Sequence, residues 1–175
     1  DRIDLYLLHG WDPHTPLDES LRAMDDLVRQ GKVIYTGACN FTAAQAVEAM
    51  WTADRMGLTP WACLQNQYNL LNRWEIEPEL LPLVNRHGLG LMTYSPLAIG
   101  LLTGRFRRGQ TPPADSLWGQ QRYDFERAMS ERTDAIVQLL IDIGARHERT
   151  PAQVAISWLL THPDVTAPMI GPDLP

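Results

Sequence analysis

The sequence predicts an α/β fold of parallel strands alternating with helices, and three observations predict it. The segments LYLLH (Leu5 to His9), TGACN (Thr36 to Asn40), LQNQYN (Leu64 to Asn69) and MTYSPLA (Met92 to Ala98) are apolar runs whose last residues turn abruptly polar. A capped amphipathic stretch begins soon after each, and glycine closes the first three of those stretches. Strand then helix, repeated, means a parallel sheet covered by helices in a doubly wound or a barrel arrangement.

The elements follow in order. After the first strand, Thr15, Pro16 and Asp18 read as a capping pattern with proline at the first helical position. Leu17, Leu21, Met24 and Val28 then fall on one helical stripe that Gly31 ends. The second strand, Val33 to Ala38, leads to the capping pair Thr42 and Gln45, to a helical face of Val47, Met50 and Trp51, and to Gly57. A third strand from Ala62 to Asn66 precedes a helix near Glu75 to His87, with Gly88 as its stop and a fourth strand, Leu89 to Tyr94, at once behind it.

From about residue 98 to 129 the pattern breaks into glycine, proline and arginine without periodicity, longer than ordinary connections and therefore functional or disordered. Two helices return, about Ser130 to His147 and Pro151 to Leu160, the second opened by Thr150 and Gln153 and stopped before Pro163. Ala167 to Ile170 reads as a last strand.

A doubly wound dinucleotide fold would place G-x-G-x-x-G at a strand-to-helix turn, and that spacing does not occur. The barrel is favoured. An eight-stranded barrel takes about 250 residues, so five strands in 175 residues are what a TIM barrel lacking its first strands would yield. The chain opens inside a strand signal without Met and stops in the loop-like GPDLP, and it reads as a single, incomplete domain.

Composition narrows the function. Hydrophobic residues at 45% and charged residues at 21% are ordinary for a globular domain, and no long apolar span suggests a membrane. A net charge of −6 argues against a nucleic-acid surface, which needs clustered cations, so a small-molecule ligand is expected. Cys39 and Cys63 are the only thiols and show no zinc spacing, which suits a reducing, cytoplasmic compartment and no metal site. Fourteen of the fifteen basic residues are arginine, and the one lysine, Lys32, sits at a helix end rather than at a polar strand end.

The C-terminal ends of parallel strands converge on one face, which would gather His9, Asn40, Gln65 and Tyr94 at one site. Taken singly, each has an ordinary reading: His9 as a capped structural residue, Asn40 as the N-cap of the next helix, Gln65 as a satisfied core amide, Tyr94 as a packed aromatic. Arg105, Arg107 and Arg108 read equally as the solvated face of a loop.

The segments IDLYLLHGWDP, GKVIYTGACNF, LQNQYNLLNR, YSPLAIGLLTGR and TPAQVAISWLL, in this order, resemble the aldo-keto reductases from their fourth strand to their eighth. That resemblance implies a (β/α)8 barrel that binds NADP(H) or NAD(H) and reduces a small carbonyl substrate. It implies a catalytic role for His9, carboxamide hydrogen bonds from Cys39, Asn40 and Gln65, and a stacking platform in Tyr94. Ser95, Leu97, Gly100 and Arg105 would line the cofactor diphosphate, Gly171 would join the cofactor site, and Trp11 would line the substrate mouth.

The resemblance also implies an alternative, a cofactor-binding regulatory module similar to the family's potassium-channel β subunits. His9 weighs toward the enzyme. Two departures stand out: Cys39 replaces the usual serine, and Asp173 falls where many members place a base for the 2′-phosphate. The family's proton-donating tyrosine, with its lysine and aspartate, would precede residue 1.

Overall fold

The computed structural model describes residues 1–171. Its elements run β1 (Ile3–Leu8), α1 (Leu17–Arg29), β2 (Val33–Cys39), α2 (Ala43–Met56), β3 (Cys63–Gln67), a π turn (Ile76–Leu80), α3 (Leu81–His87) and β4 (Gly90–Tyr94). A 3-10 turn (Leu101–Thr103), α4 (Phe125–Ala128), α5 (Glu131–Arg146), α6 (Pro151–Leu160) and β5 (Ala167–Pro168) complete them. The sheet order is β1-β2-β3-β4-β5, and β1 to β4 pair in parallel. This is the α/β fold of a partial TIM barrel. No helix among the described residues is long and apolar enough to cross a membrane.

Two compact units emerge. The first comprises Asp1–Gln67, Arg73–Tyr94 and Asp164–Ala167. One face of its sheet is closed: Ala38, Leu64, Leu91 and Thr93 are fully buried on the alternate positions that meet the helices. The other face holds Gly37, Cys39, Cys63, Gln65, Met92 and Tyr94, which the register sets side by side. A Cβ at Gly37 would overlap the Cys63 carbonyl, so glycine there permits the close approach of β2 and β3. Thr166 continues the sheet, its N–H donating to the Leu91 carbonyl at 2.8 Å.

Three local expectations change. Thr15 does not cap α1, because its hydroxyl donates to Asp12 Oδ2 at 2.7 Å; Pro16 holds the N-cap position in extended backbone with no side-chain cap. The inward face of α2 is Ala46, Ala49 and Ala53, whereas Val47 and Trp51 are exposed and the Arg55 guanidinium lies 4.7 Å above the Trp51 ring. The helix expected from Glu75 begins as a π turn, with the Leu81 N–H reaching the Ile76 carbonyl. Pro78 and Pro82 lack the N–H groups that would close ordinary α turns there.

The caps of α2 and α6 are as read, with reciprocal bonds between Thr42 and Gln45 and between Thr150 and Gln153. Gly57 and Gly88 end their helices in left-handed backbone. Asp25 was not foreseen: buried on α1, it accepts the Thr59 hydroxyl at 2.7 Å and N–H at 2.9 Å and pairs with Arg29.

The second unit comprises Tyr68–Asn72, Ser95–Pro163 and the chain from Pro168 on. The segment at 98 to 129, expected to be functional or disordered, is ordered around buried Leu101, Leu102, Phe106, Trp118 and Met129, which pack with Leu140 of α5 and Ala155 of α6. The rings of Trp118 and Phe125 meet edge to face at 5.9 Å, and the Trp118 indole N–H donates to the Ile99 carbonyl at 2.8 Å.

Candidate active site

Parallel pairing brings the strand ends to one side of the first unit. His9 follows β1, Asn40 follows β2, Gln65 lies in β3 opposite Cys39, and Tyr94 ends β4 opposite Gln67. Asn40 is the centre of the group. Its backbone is left-handed (φ 57°), a conformation asparagine tolerates better than most residues. Its N–H donates to the Gln65 carbonyl at 2.9 Å, its Nδ2 donates to the His9 carbonyl at 2.9 Å, and its Oδ1 accepts the Tyr94 hydroxyl at 2.8 Å.

The amide has one sensible orientation. A carbonyl only accepts, so Nδ2 faces His9, and Oδ1 must then take the Tyr94 proton. Asn40 therefore does not cap α2, a role that Thr42 fills. A second contact runs from the Cys39 thiol to Gln65 Oε1 at 3.4 Å. Burial pushes the Cys39 thiol up from its ordinary range; burial, with Cys39 and Glu75 nearby, does the same to the Tyr94 phenol. Both groups stay protonated donors at neutral pH.

The exposed His9 imidazole has no hydrogen-bond partner among the described residues, and its carbonyl alone is used by the network. Trp11 packs edge to face on Phe41 at 5.5 Å, and Phe41 in turn meets Trp61 at 5.2 Å. Trp11 is thus held beside the β2 tip. Lys32 precedes β2 at the opposite end of the sheet, and Tyr6 pairs with Thr36 on the face away from Cys39 and Gln65.

In the second unit, Ser95, Ala98, Ile99 and Gly100 all have positive φ. The backbone N–H groups of Leu97, Ile99 and Gly100 in this stretch have no acceptor among the described residues, donors of the kind an anion uses. Asn69, which sequence reasoning missed, supports the run: its Nδ2 donates to the Ser95 carbonyl at 2.9 Å while its Oδ1 accepts the Leu71 and Asn72 N–H groups. An asparagine between strand and helix signals was the available clue.

Arg105 is exposed, lies over the Phe106 ring at 5.6 Å and stands 4.0 Å from Asp115. Arg107 is committed elsewhere, to Asp134 at 2.7 and 3.0 Å and to Gln138 at 2.8 Å. Gly171 is exposed with open space where a Cβ would stand, and Asp173 lies outside the described residues.

Within the first unit, the strand-tip amides and the half-buried Tyr94 ring offer the chemistry that a nicotinamide carboxamide and ring require; within the second, the backbone N–H groups of Leu97, Ile99 and Gly100 and the exposed Arg105 offer the chemistry that a diphosphate requires. The family model described as Aldo/keto reductase family matches residues 1–175. The chain is 35% identical over 173 residues to a "Probable voltage-gated potassium channel subunit beta" of Arabidopsis thaliana, covering 98% of this chain and 52% of that protein. It is 36% identical over 173 residues to a protein of the same description in Oryza sativa subsp. japonica, again covering 98% and 52%. It is 31% identical over 179 residues to a "Putative voltage-gated potassium channel subunit beta" of Schizosaccharomyces pombe, covering 99% and 51%. The chain spans about half the length of these curated relatives.

Proposed function

The chain belongs to the aldo/keto reductase family, and we propose on that premise that the complete protein is an NAD(P)H-dependent oxidoreductase reducing aldehydes or ketones to alcohols. The interlocked strand tips carry the reading, because His9, Asn40, Gln65 and Tyr94 share one side of the sheet and are tied by direct hydrogen bonds. The nicotinamide group, when bound, supplies the hydride. Asn40 and Gln65 would hold its carboxamide and the Tyr94 ring its face. Ser95, Leu97, Gly100, Arg105 and Gly171 would hold the rest of the cofactor, NADP(H) in preference to NAD(H) by family habit.

His9 would orient the substrate carbonyl, and Trp11 would border it. The proton donor is assigned outside these 175 residues. Tyr94 already gives its proton to Asn40, and Lys32 sits at the wrong end of the sheet. The two cysteines are free and buried, in keeping with a reducing, cytoplasmic setting.

A second reading has its own support: the three relatives carry channel-subunit names, which favours a cofactor-binding regulatory module. Titrating NADPH and NADH by fluorescence tests the shared cofactor site. Carbonyl turnover by a longer chain that also carries the part of its relatives' length not matched here then separates the readings. Turnover that depends on His9 supports the enzyme, and tight cofactor binding without turnover supports the module.

A further inference from the structure

On the face of the sheet that meets the helices, away from the strand-tip site, two buried polar groups stand side by side. Asn66 of β3 pairs in register with Thr93 of β4, and strand alternation puts both side chains on the face of Leu64 and Leu91. Asn66 is 9% exposed and Thr93 0%. The Asn66 Nδ2 donates to the Phe41 carbonyl at 3.1 Å, and because a carbonyl only accepts, that bond fixes the amide with Oδ1 as its other end. Neither Asn66 Oδ1 nor Thr93 Oγ1 has a hydrogen-bond partner among the described residues.

A buried polar atom left without a partner weighs against folding by about 5- to 100-fold, so two of them at one place call for a common partner. Adjacent strands lie about 4.8 Å apart, which sets directly paired side chains within reach of one small molecule. That molecule must donate to Asn66 Oδ1 and either donate to or accept from the Thr93 hydroxyl. An ion would need a counter-charge, and the neighbouring buried positions on this face, Ala38, Leu64 and Leu91, are apolar. Water satisfies both oxygens. We propose that Asn66 and Thr93 hold one buried water that bridges β3 to β4. Each partner is one residue from a tip residue, so the water fastens the two strands where Gln65 and Tyr94 face the other way.

The test is made on the whole chain and reads the water and its energetic effect separately. Oxygen-17 relaxation dispersion registers water oxygens held inside a protein, independently of hydroxyl-proton exchange. The unsubstituted chain and Thr93→Ser should each show one more long-lived water than Thr93→Val, which keeps the shape of threonine without its hydroxyl. Urea unfolding supplies the second reading. Thr93→Val should lower the folding constant by about 5- to 100-fold, because it leaves Asn66 Oδ1 buried without its partner.

A Thr93 hydroxyl without a partner would be better replaced by a methyl group, so a folding constant that is unchanged or raised in Thr93→Val overturns the proposal. A lowered constant with the same oxygen-17 dispersion overturns it too, and assigns a direct bond between Thr93 and Asn66. Loss of one long-lived water together with lowered stability upholds it.

Discussion

The strand tips and the segment at 98 to 129 are both irregular backbone next to regular structure, yet they are ordered by opposite means. At the tips, polar groups from four strands bond to one another while His9 and Asn40 remain exposed. In the segment, apolar side chains on short turns bury themselves, and Trp118 and Leu102 are 5% and 0% exposed. The first arrangement keeps chemistry available at little cost in buried surface. The second supplies its own core, and so it contributes stability as a helix or strand would.

The sharpest way to break this contrast is to ask whether the tips are sufficient for catalysis. The 175 residues alone are expected to show at least 100-fold less NADPH-dependent reduction, across a panel of aldehydes, than the same chain joined to the part of its relatives' length that it does not match. Positioned general acid catalysis contributes about 10² to 10⁴ in rate, and no described tip residue supplies the acid. Equal turnover by the two would assign the proton to His9 and refute the assignment of the donor to other residues.

Stability gives the next largest effect. Trp118→Ala removes a buried indole with its bond to the Ile99 carbonyl and should cost about 3–5 kcal/mol in urea unfolding. Asn40→Ala, at the exposed tips, loses two side-chain hydrogen bonds and puts alanine in left-handed backbone, and should cost about 1 to 2.5 kcal/mol. A tip substitution as costly as the tryptophan one would erase the distinction.

The same contrast explains what was legible in the sequence. The alternation of strand and helix, the Thr42 and Thr150 caps, the Gly57 and Gly88 stops and the polar strand ends follow from local rules, because each is decided within a few residues. The buried face of α2 was misread because hydrophobicity favoured Val47, Met50 and Trp51, whereas close packing selected the small Ala46, Ala49 and Ala53. Asp25 was invisible because its partner Thr59 lies far along the chain. The core of the 98 to 129 segment has no period, since turns rather than a helix or strand set which side chains point inward. At the site, the residues could be read but not their mutual bonds: nothing local says that Tyr94 gives its proton to Asn40.

Cofactor affinity sharpens the role of the tips. Tyr94→Ala removes the ring and the hydroxyl together and should weaken NADPH or NADH by about 1 to 3 kcal/mol, the range for losing an aromatic stacking platform under a base. Fluorescence titration reads it directly. Unchanged dissociation constants for both cofactors would remove Tyr94 from the site and leave its hydroxyl with a structural task alone.

The smallest effect is a difference in acid response. The Asp134 carboxylate, held by the Arg107 side chain and then by the Arg108 N–H, is lowered to about 2. Because its folded pKa lies below its ordinary value of 3.8, its contribution is complete above about pH 4 and fades as pH falls toward 2. The pair is roughly a quarter exposed on each side, so solvent screening reduces that contribution to about 1 kcal/mol. Between pH 4 and pH 2, unfolding that reports on the segment should therefore lose about 1 kcal/mol more in the unsubstituted chain than in Asp134→Asn. The hydrogen bonds of Tyr94 with Asn40 and of Cys39 with Gln65 involve only neutral groups, and the Asn40 side-chain amide resonances should stay fixed over the same interval while the protein remains folded. Acid that disturbs the tips before it loosens the segment would mean that a titrating group, not the neutral network, holds the strand ends together.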